Sequence, residues 1–157
     1  MSLTRDIRDF ALDIGYTHVG ITPADSFSEH IKEVKSRGDI YDFFVKYPRE
    51  YLKGAKPKKI MPTAKSIISM AWDYSQKAFP EYLIGKIGRI YLARCYGAPP
   101  HRINGARYKL MQDFLEKMGC EIGREILVPE RRAAARAGVI TFGKNNFAYA
   151  KKSGSFV

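Results

Sequence analysis

Gly143 is followed at once by Lys144, Asn145 and Asn146, which sets a flexible backbone position beside a cation and two side-chain amides. Such a cluster can donate several hydrogen bonds and suits a ligand that bears amides or a phosphate. The same residues at a glycine also describe a solvated hairpin turn, which needs no ligand. Gly138 and the Gly143-Lys144 pair satisfy the spacing GxxxxGK of a phosphate-binding loop. That reading fails, because Asn145 stands where Ser or Thr would hold magnesium, and Val139 to Phe142 read as a strand and not as a cradle.

The other reactive residue types are scattered. Cys95 and Cys120 stand alone, with no CxxC and no histidine nearby at zinc spacing, so no metal ligand set is encoded here and two buried, reduced thiols are the simplest reading. Tyr96 and His101 flank the turn forced by Gly97 to Pro100 and are presented with Arg102 on a loop. Tyr74 and Tyr149 could each offer a phenolic proton, but among ten tyrosines neither is singled out. His18 and His30 read as structural or surface residues.

These groups need elements to hold them. Ile7, Phe10, Ala11 and Ile14 follow helical spacing, which predicts a helix capped by Thr4 and ended by Gly15. His18 to Thr22 reads as a short strand. Phe27, Ile31 and Val34 predict a second helix after Asp25 and Ser26, closed at Gly38. From Gly38 to Pro62 the chain carries five aromatics among its lysines, which predicts an ordered excursion.

Ser66 to Trp72 reads as a central strand buried on both faces, and Tyr82 to Arg94 as a helix. Leu110, Met111, Phe114, Leu115 and Met118 give the apolar face of a helix that starts near Asn104 and stops at Gly119. A strand over Glu125 to Val128 follows. After Pro129 come a short helix from Glu130 to Gly138 and two strand-like pieces, Val139 to Phe142 and Phe147 to Ala150, with Gly143 permitting a tight turn between them.

The 157 residues are 45% hydrophobic and 27% charged, the balance of one globular α/β domain over residues 1–157. The apolar runs fall far short of the ~20 residues that cross a bilayer, and Met1 to Gly20 has acidic residues where a signal peptide would have an apolar stretch, so a cytoplasmic chain with no membrane partner is expected. With 27 Lys and Arg against 16 Asp and Glu, the formal charge of +11 favours anionic partners, RNA or a phosphate-bearing cofactor among them.

Glu130, Arg131, Ala134, Ala137 and Gly138, then Gly143, Lys144 and Asn145, then Gly154 and Ser155 form an ER-x-x-A-x-x-AG stretch, a GKN turn and a closing GS pair. With PTAKSIISMAW upstream, this resembles the superfamily of epoxyqueuosine reductases and reductive dehalogenases, although Phe156 stands where that family has Trp. The resemblance implies a nitroreductase-like α+β sandwich, with a central mixed sheet flanked by helices, that binds cobalamin. It further implies electrons from iron-sulfur clusters in a carboxy-terminal, ferredoxin-like domain beyond this chain, fed by a donor such as ferredoxin or flavodoxin. The expected reaction is reduction of a small molecule or a modified nucleoside, with the cofactor performing the hard chemistry.

On that resemblance Gly143, Lys144, Asn145, Asn146, His101 and Ser155 are the candidates for holding the corrinoid, and Glu125 and Tyr96 for catalysis. One departure is informative. Epoxyqueuosine reductases carry a proton-donating Asp six residues before the Glu of the ER pair, and the residue here is Arg124, which cannot donate at neutral pH. Glu125, next to it, can take the role if the register slips by one. The competing reading is a basic RNA-binding module without catalysis, in which Arg131, Arg132, Arg136, Lys151 and Lys152 track phosphates.

Overall fold

A computed structural model of the chain describes residues 2–41, 51–75, 78–88, 103–123 and 128–157. The first helix, α1 (Leu3–Asp13), buries Ile7 and Ala11 and packs Phe10 and Ile14 against the same cluster, as the spacing predicts. Its start differs. The carbonyl of Ser2 already accepts the N–H groups of Arg5 and Asp6, so Thr4 lies inside the first turn and no side chain caps the helix. Gly15, at φ +97°, ends it, and the N–H of Tyr16 returns to the carbonyl of Ala11 at 3.0 Å, a glycine C-cap.

β1 (His18–Pro23) pairs antiparallel with β2 (Ser66–Ala71), from His18 opposite Ala71 to Pro23 opposite Ser66. The sequence predicts β2 to be central and buried on both faces. Instead it is half-buried, exposed at Ser66, and among the described residues it pairs with β1 alone. Its unalternating apolar run has another cause. Ile68 and Met70 pack on one cluster, around Ile7, Ala11, Tyr16, Met111 and Leu115, while Ile67 turns to a second, around Phe27, Ala55 and Ala133.

α2 (Ser28–Ser36) begins after Phe27, and Gly38, at φ +57°, follows its last turn. A 3-10 turn (Gly38–Tyr41) and two single-turn helices, α3 (Tyr51–Gly54) and α4 (Pro57–Ile60), give the expected excursion its order; Phe43, Phe44 and Tyr47 lie outside the described residues. The helix expected from Tyr82 is, in its described part, one 3-10 turn (Glu81–Leu83). Ile84 is extended at ψ 130° and Gly85 sits at φ +77°, which stops propagation there.

α5 (Ile103–Lys117) buries Met111 and Leu115 and stacks Phe114 on Phe10 with ring centroids 4.2 Å apart. Leu110 and Met118, expected on the same face, are about half exposed at 49% and 46%. Leu110 lies round the helix from Met111, and Met118 lies beyond the last turn. Val128 joins the second cluster outside any strand, and the rest of the strand expected before it lies outside the described residues.

α6 (Glu130–Arg136) crosses both β1 and β2. A Cβ on Gly20 would run into the backbone carbonyl of Ala137, so β1 carries a glycine where α6 ends. β3 (Thr141–Phe142) and β4 (Ala148–Tyr149) then form a separate antiparallel hairpin. Helix and strand are mixed as expected. Among the described residues the strands make two antiparallel pairs, and no helix is long and apolar enough to cross a membrane.

Candidate functional site

The hairpin brings Gly143, Lys144, Asn145 and Asn146 into one loop. Gly143 N–H donates to the Phe147 carbonyl and Asn146 N–H to the Gly143 carbonyl, both at 2.9 Å, and Asn146 takes the left-handed conformation at φ +61°. That is a three-residue hairpin loop whose left-handed position holds Asn, one of the few side chains that tolerate it. Gly143 is required for a different reason. A Cβ there would sit 2.5 Å from Tyr149 Cε2 and 2.7 Å from Asn145 Oδ1.

Asn145 is committed inside the loop. Its Nδ2 donates to the Tyr149 hydroxyl and its Oδ1 accepts from Phe147 N–H, both at 3.1 Å. One N–H and one lone pair remain on the amide. Arg131 on α6 donates to the Asn146 carbonyl, and the guanidinium groups of Arg131 and Arg132 lie 4.9 and 5.2 Å from the centroid of the Phe142 ring. Arg136 donates to Thr22 Oγ1 and to the carbonyls of Pro23 and Asp25, and lies 3.9 Å over the Phe27 ring. Of the arginines expected to track phosphates, Arg131 and Arg136 therefore hold the fold together. Lys144, Lys151 and Lys152 are exposed.

Ser155 belongs to a separate reversal, in which Ala150 and Gly154 pair through both backbone groups. Beyond it Phe156 meets Tyr74 edge-on at 5.6 Å, and its carbonyl accepts the Tyr74 N–H. Tyr96, His101, Arg124 and Glu125 lie outside the described residues. Cys120 is a half-buried free thiol.

Sequence reasoning missed a part-buried cluster at that reversal. His18 Nε2 is 2.8 Å from Ser153 Oγ, and Ser153, only 5% exposed, also hydrogen-bonds the Asp73 carboxylate. Asp73 further accepts the Ser75 backbone N–H at 2.5 Å. Burial is the largest single influence on Asp73 and pushes its carboxyl up. The hydrogen bonds from Ser75 and Ser153, with the His18 charge, together outweigh it and hold the group below its ordinary 3.8. Asp73 is thus an acceptor, so the one Ser153 proton points to it and His18 Nε2 must be the nitrogen that carries a proton toward Ser153. His18, expected to be structural or surface, is a member of this relay. No local signal could have paired residues 135 positions apart.

The chain is 28% identical, over an alignment 170 positions long, to epoxyqueuosine reductase of Staphylococcus aureus (strain NCTC 8325 / PS 47), which takes in 98% of this chain and 42% of that protein. The chain is related to the epoxyqueuosine reductases. The enzyme of Lactococcus garvieae (strain Lg2) is 29% identical over 99% of this chain and 46% of its own length. The chain therefore spans less than half the length of these epoxyqueuosine reductases. No protein-family model matches it.

Solved epoxyqueuosine reductases share the fold. The structure from Streptococcus thermophilus superposes with a TM-score of 0.71 at 24% identity, covering 99% of this chain and 44% of that one. Epoxyqueuosine reductase in complex with an epoxyqueuosine-modified tRNA stem loop superposes at 0.68 and 20% identity, over 98% of this chain and 43% of that one.

Proposed function

We propose that this chain is the cobalamin-binding domain, a nitroreductase-like sandwich, of a corrinoid-dependent reductase that acts on a modified nucleoside in RNA. The reading includes a cytoplasmic location, iron-sulfur clusters in a further domain, and an external electron donor such as ferredoxin or flavodoxin. The observation that carries it is the 28% identity to an epoxyqueuosine reductase along 98% of the chain. The agreement runs through the whole chain and does not rest on the GKN turn alone.

The hairpin fits such a cofactor in part. A broad macrocycle with amide arms and a phosphate tail needs an apolar platform beside polar donors. Phe147 is 61% exposed next to the exposed Lys144, and Asn145 keeps one N–H to donate. Gly143 does not fit the role of a cradle, because the space a Cβ would fill is taken by Tyr149. When bound, cobalamin supplies the reducing chemistry at its cobalt.

This chain's residues would orient the cofactor and handle protons. The Tyr149 hydroxyl accepts from Asn145 and retains its own O–H, which makes it a proton donor beside the loop. Glu125 and Tyr96 remain the catalytic candidates, and His101 and Ser155 further contacts to the cofactor. Equilibrium dialysis against hydroxocobalamin tests the reading. Retained corrinoid with the visible spectrum of a cobalt that has lost its benzimidazole ligand is expected; no retention under reducing conditions would overturn it.

A further inference from the structure

His18 also lines an open cleft of about 360 Å³ with Arg8, Thr17, Val19, Val139 and Lys151, and no residue of the hairpin loop is part of that lining. Arg8 and Lys151 are exposed, and neither has a carboxylate or other side-chain partner among the described residues. Two unneutralised cations that face one cleft repel each other, an arrangement that a bound anion relieves.

The third group is oriented from behind. Since Asp73 takes the Ser153 proton and Ser153 takes that of His18 Nε2, the other ring nitrogen, Nδ1, is left without a partner among the described residues. The bond to Ser153 fixes the orientation of the ring at the wall of the cleft.

We infer that this cleft binds a backbone phosphate of an RNA, with Arg8 and Lys151 as the charges and the His18 ring, held by Ser153, as a fixed wall beside it. A phosphodiester matches the chemistry better than a carboxylate metabolite does. Its charge is spread over two oxygens that can meet both cations at once, and an open cleft admits a group embedded in a continuous chain. The overall charge of +11 favours the same polyanion. The inference rests on RNA being the substrate's carrier, and it does not depend on cobalamin binding at the hairpin.

The test follows the His18 ring by long-range ¹H–¹⁵N NMR in the 157-residue chain, first with inorganic phosphate and then with a short RNA hairpin. Phosphate should shift the His18 signals, and the combined variant Arg8→Ala with Lys151→Ala should abolish the shift. The same variant should weaken RNA binding about tenfold or more at low salt and flatten its salt dependence by about two counterions. Ser153→Ala should turn a single His18 tautomer into a mixture and broaden the phosphate-induced shift, because the ring at the cleft wall is no longer held in one orientation.

Absence of a phosphate shift at His18 would overturn the site and leave the reductase reading standing. RNA binding with unchanged affinity and salt slope in the double variant would overturn the assignment to this cleft. Hydroxocobalamin shifting His18 while RNA does not would give the cleft to a small-molecule phosphate and overturn the RNA assignment. Failure of the hairpin to bind at all would remove this proposal together with RNA as the substrate's carrier.

Discussion

Asn145 is the residue at which scaffold and ligand roles separate. Both ends of its amide are engaged within the loop, so Asn145→Ala should destabilise the chain by about 1 kcal/mol, read as a lower urea midpoint, with a smaller effect on corrinoid retention. Lys144→Ala should do the reverse, weakening corrinoid retention without moving the midpoint. A midpoint unchanged by Asn145→Ala would mean that the loop does not depend on this amide. The cluster itself was legible because its four residues are consecutive. Which partner the amide takes was not, since Tyr149 and a ligand offer it equally good acceptors. His18, Asp73 and Ser153 lay beyond reach altogether, because nothing in a local pattern pairs a strand residue with a distant reversal.

His30 gives a pH dependence whose sign follows from its surroundings. Burial first, and then the charge of Arg132, hold its imidazole below the ordinary 6.5. The folded chain therefore refuses a proton that the unfolded chain accepts. The stability this confers is fully present above 6.5 and is lost as pH falls from 6.5 toward the lower folded value. Urea melts at neutral and mildly acidic pH should show a decline that His30→Gln makes shallower; an identical decline would place the titrating group elsewhere.

At the scale of elements, the helix ends were readable because glycine marks them. Gly138, at φ +71°, stops α6, and the N–H of Val139 returns to the Ala134 carbonyl at 2.9 Å. Helix starts were less readable: α1 is capped by backbone alone, and no side chain announces it. Strand placement was half readable. The apolar run of β2 was visible, but an uninterrupted run looks the same whether it is the middle of one sheet or the seam between two small clusters.

The seam between α6 and the first strand pair is tight, and two substitutions should expose it. Gly20→Ala would drive a methyl into the Ala137 carbonyl and should destabilise by about 2 to 3 kcal/mol, seen as a lower midpoint with unchanged denaturant slope. Arg136→Met keeps the stem over Phe27 and removes the donors to Thr22, Pro23 and Asp25. A loss of about 1 to 2 kcal/mol is expected, discounted for the exposure of the guanidinium.

Over the whole molecule, a surplus of 11 positive charges opposes compaction. Adding salt from a few millimolar to about 0.15 M should raise the melting temperature by screening that repulsion, whereas a chain held chiefly by surface ion pairs would lose stability. The described ion pairs Arg37–Glu33, Lys58–Asp25 and Lys109–Asp113 are all exposed and add little.

The bond from Ser153 back to His18 also dictates an order of events during synthesis. The strand pair and α1 are complete once residue 71 has been made, yet the His18 ring meets its hydroxyl partner only when Ser153, 135 positions on, has followed. Loop closure over such a separation is slow, and domains form as their residues leave the ribosome. The reversal at Ala150 and Gly154 is therefore expected to dock late, onto a strand pair that is already assembled. Ser153→Ala should accelerate unfolding while leaving the refolding rate nearly unchanged, a result that stopped-flow chevrons would reveal as a displaced unfolding limb alone.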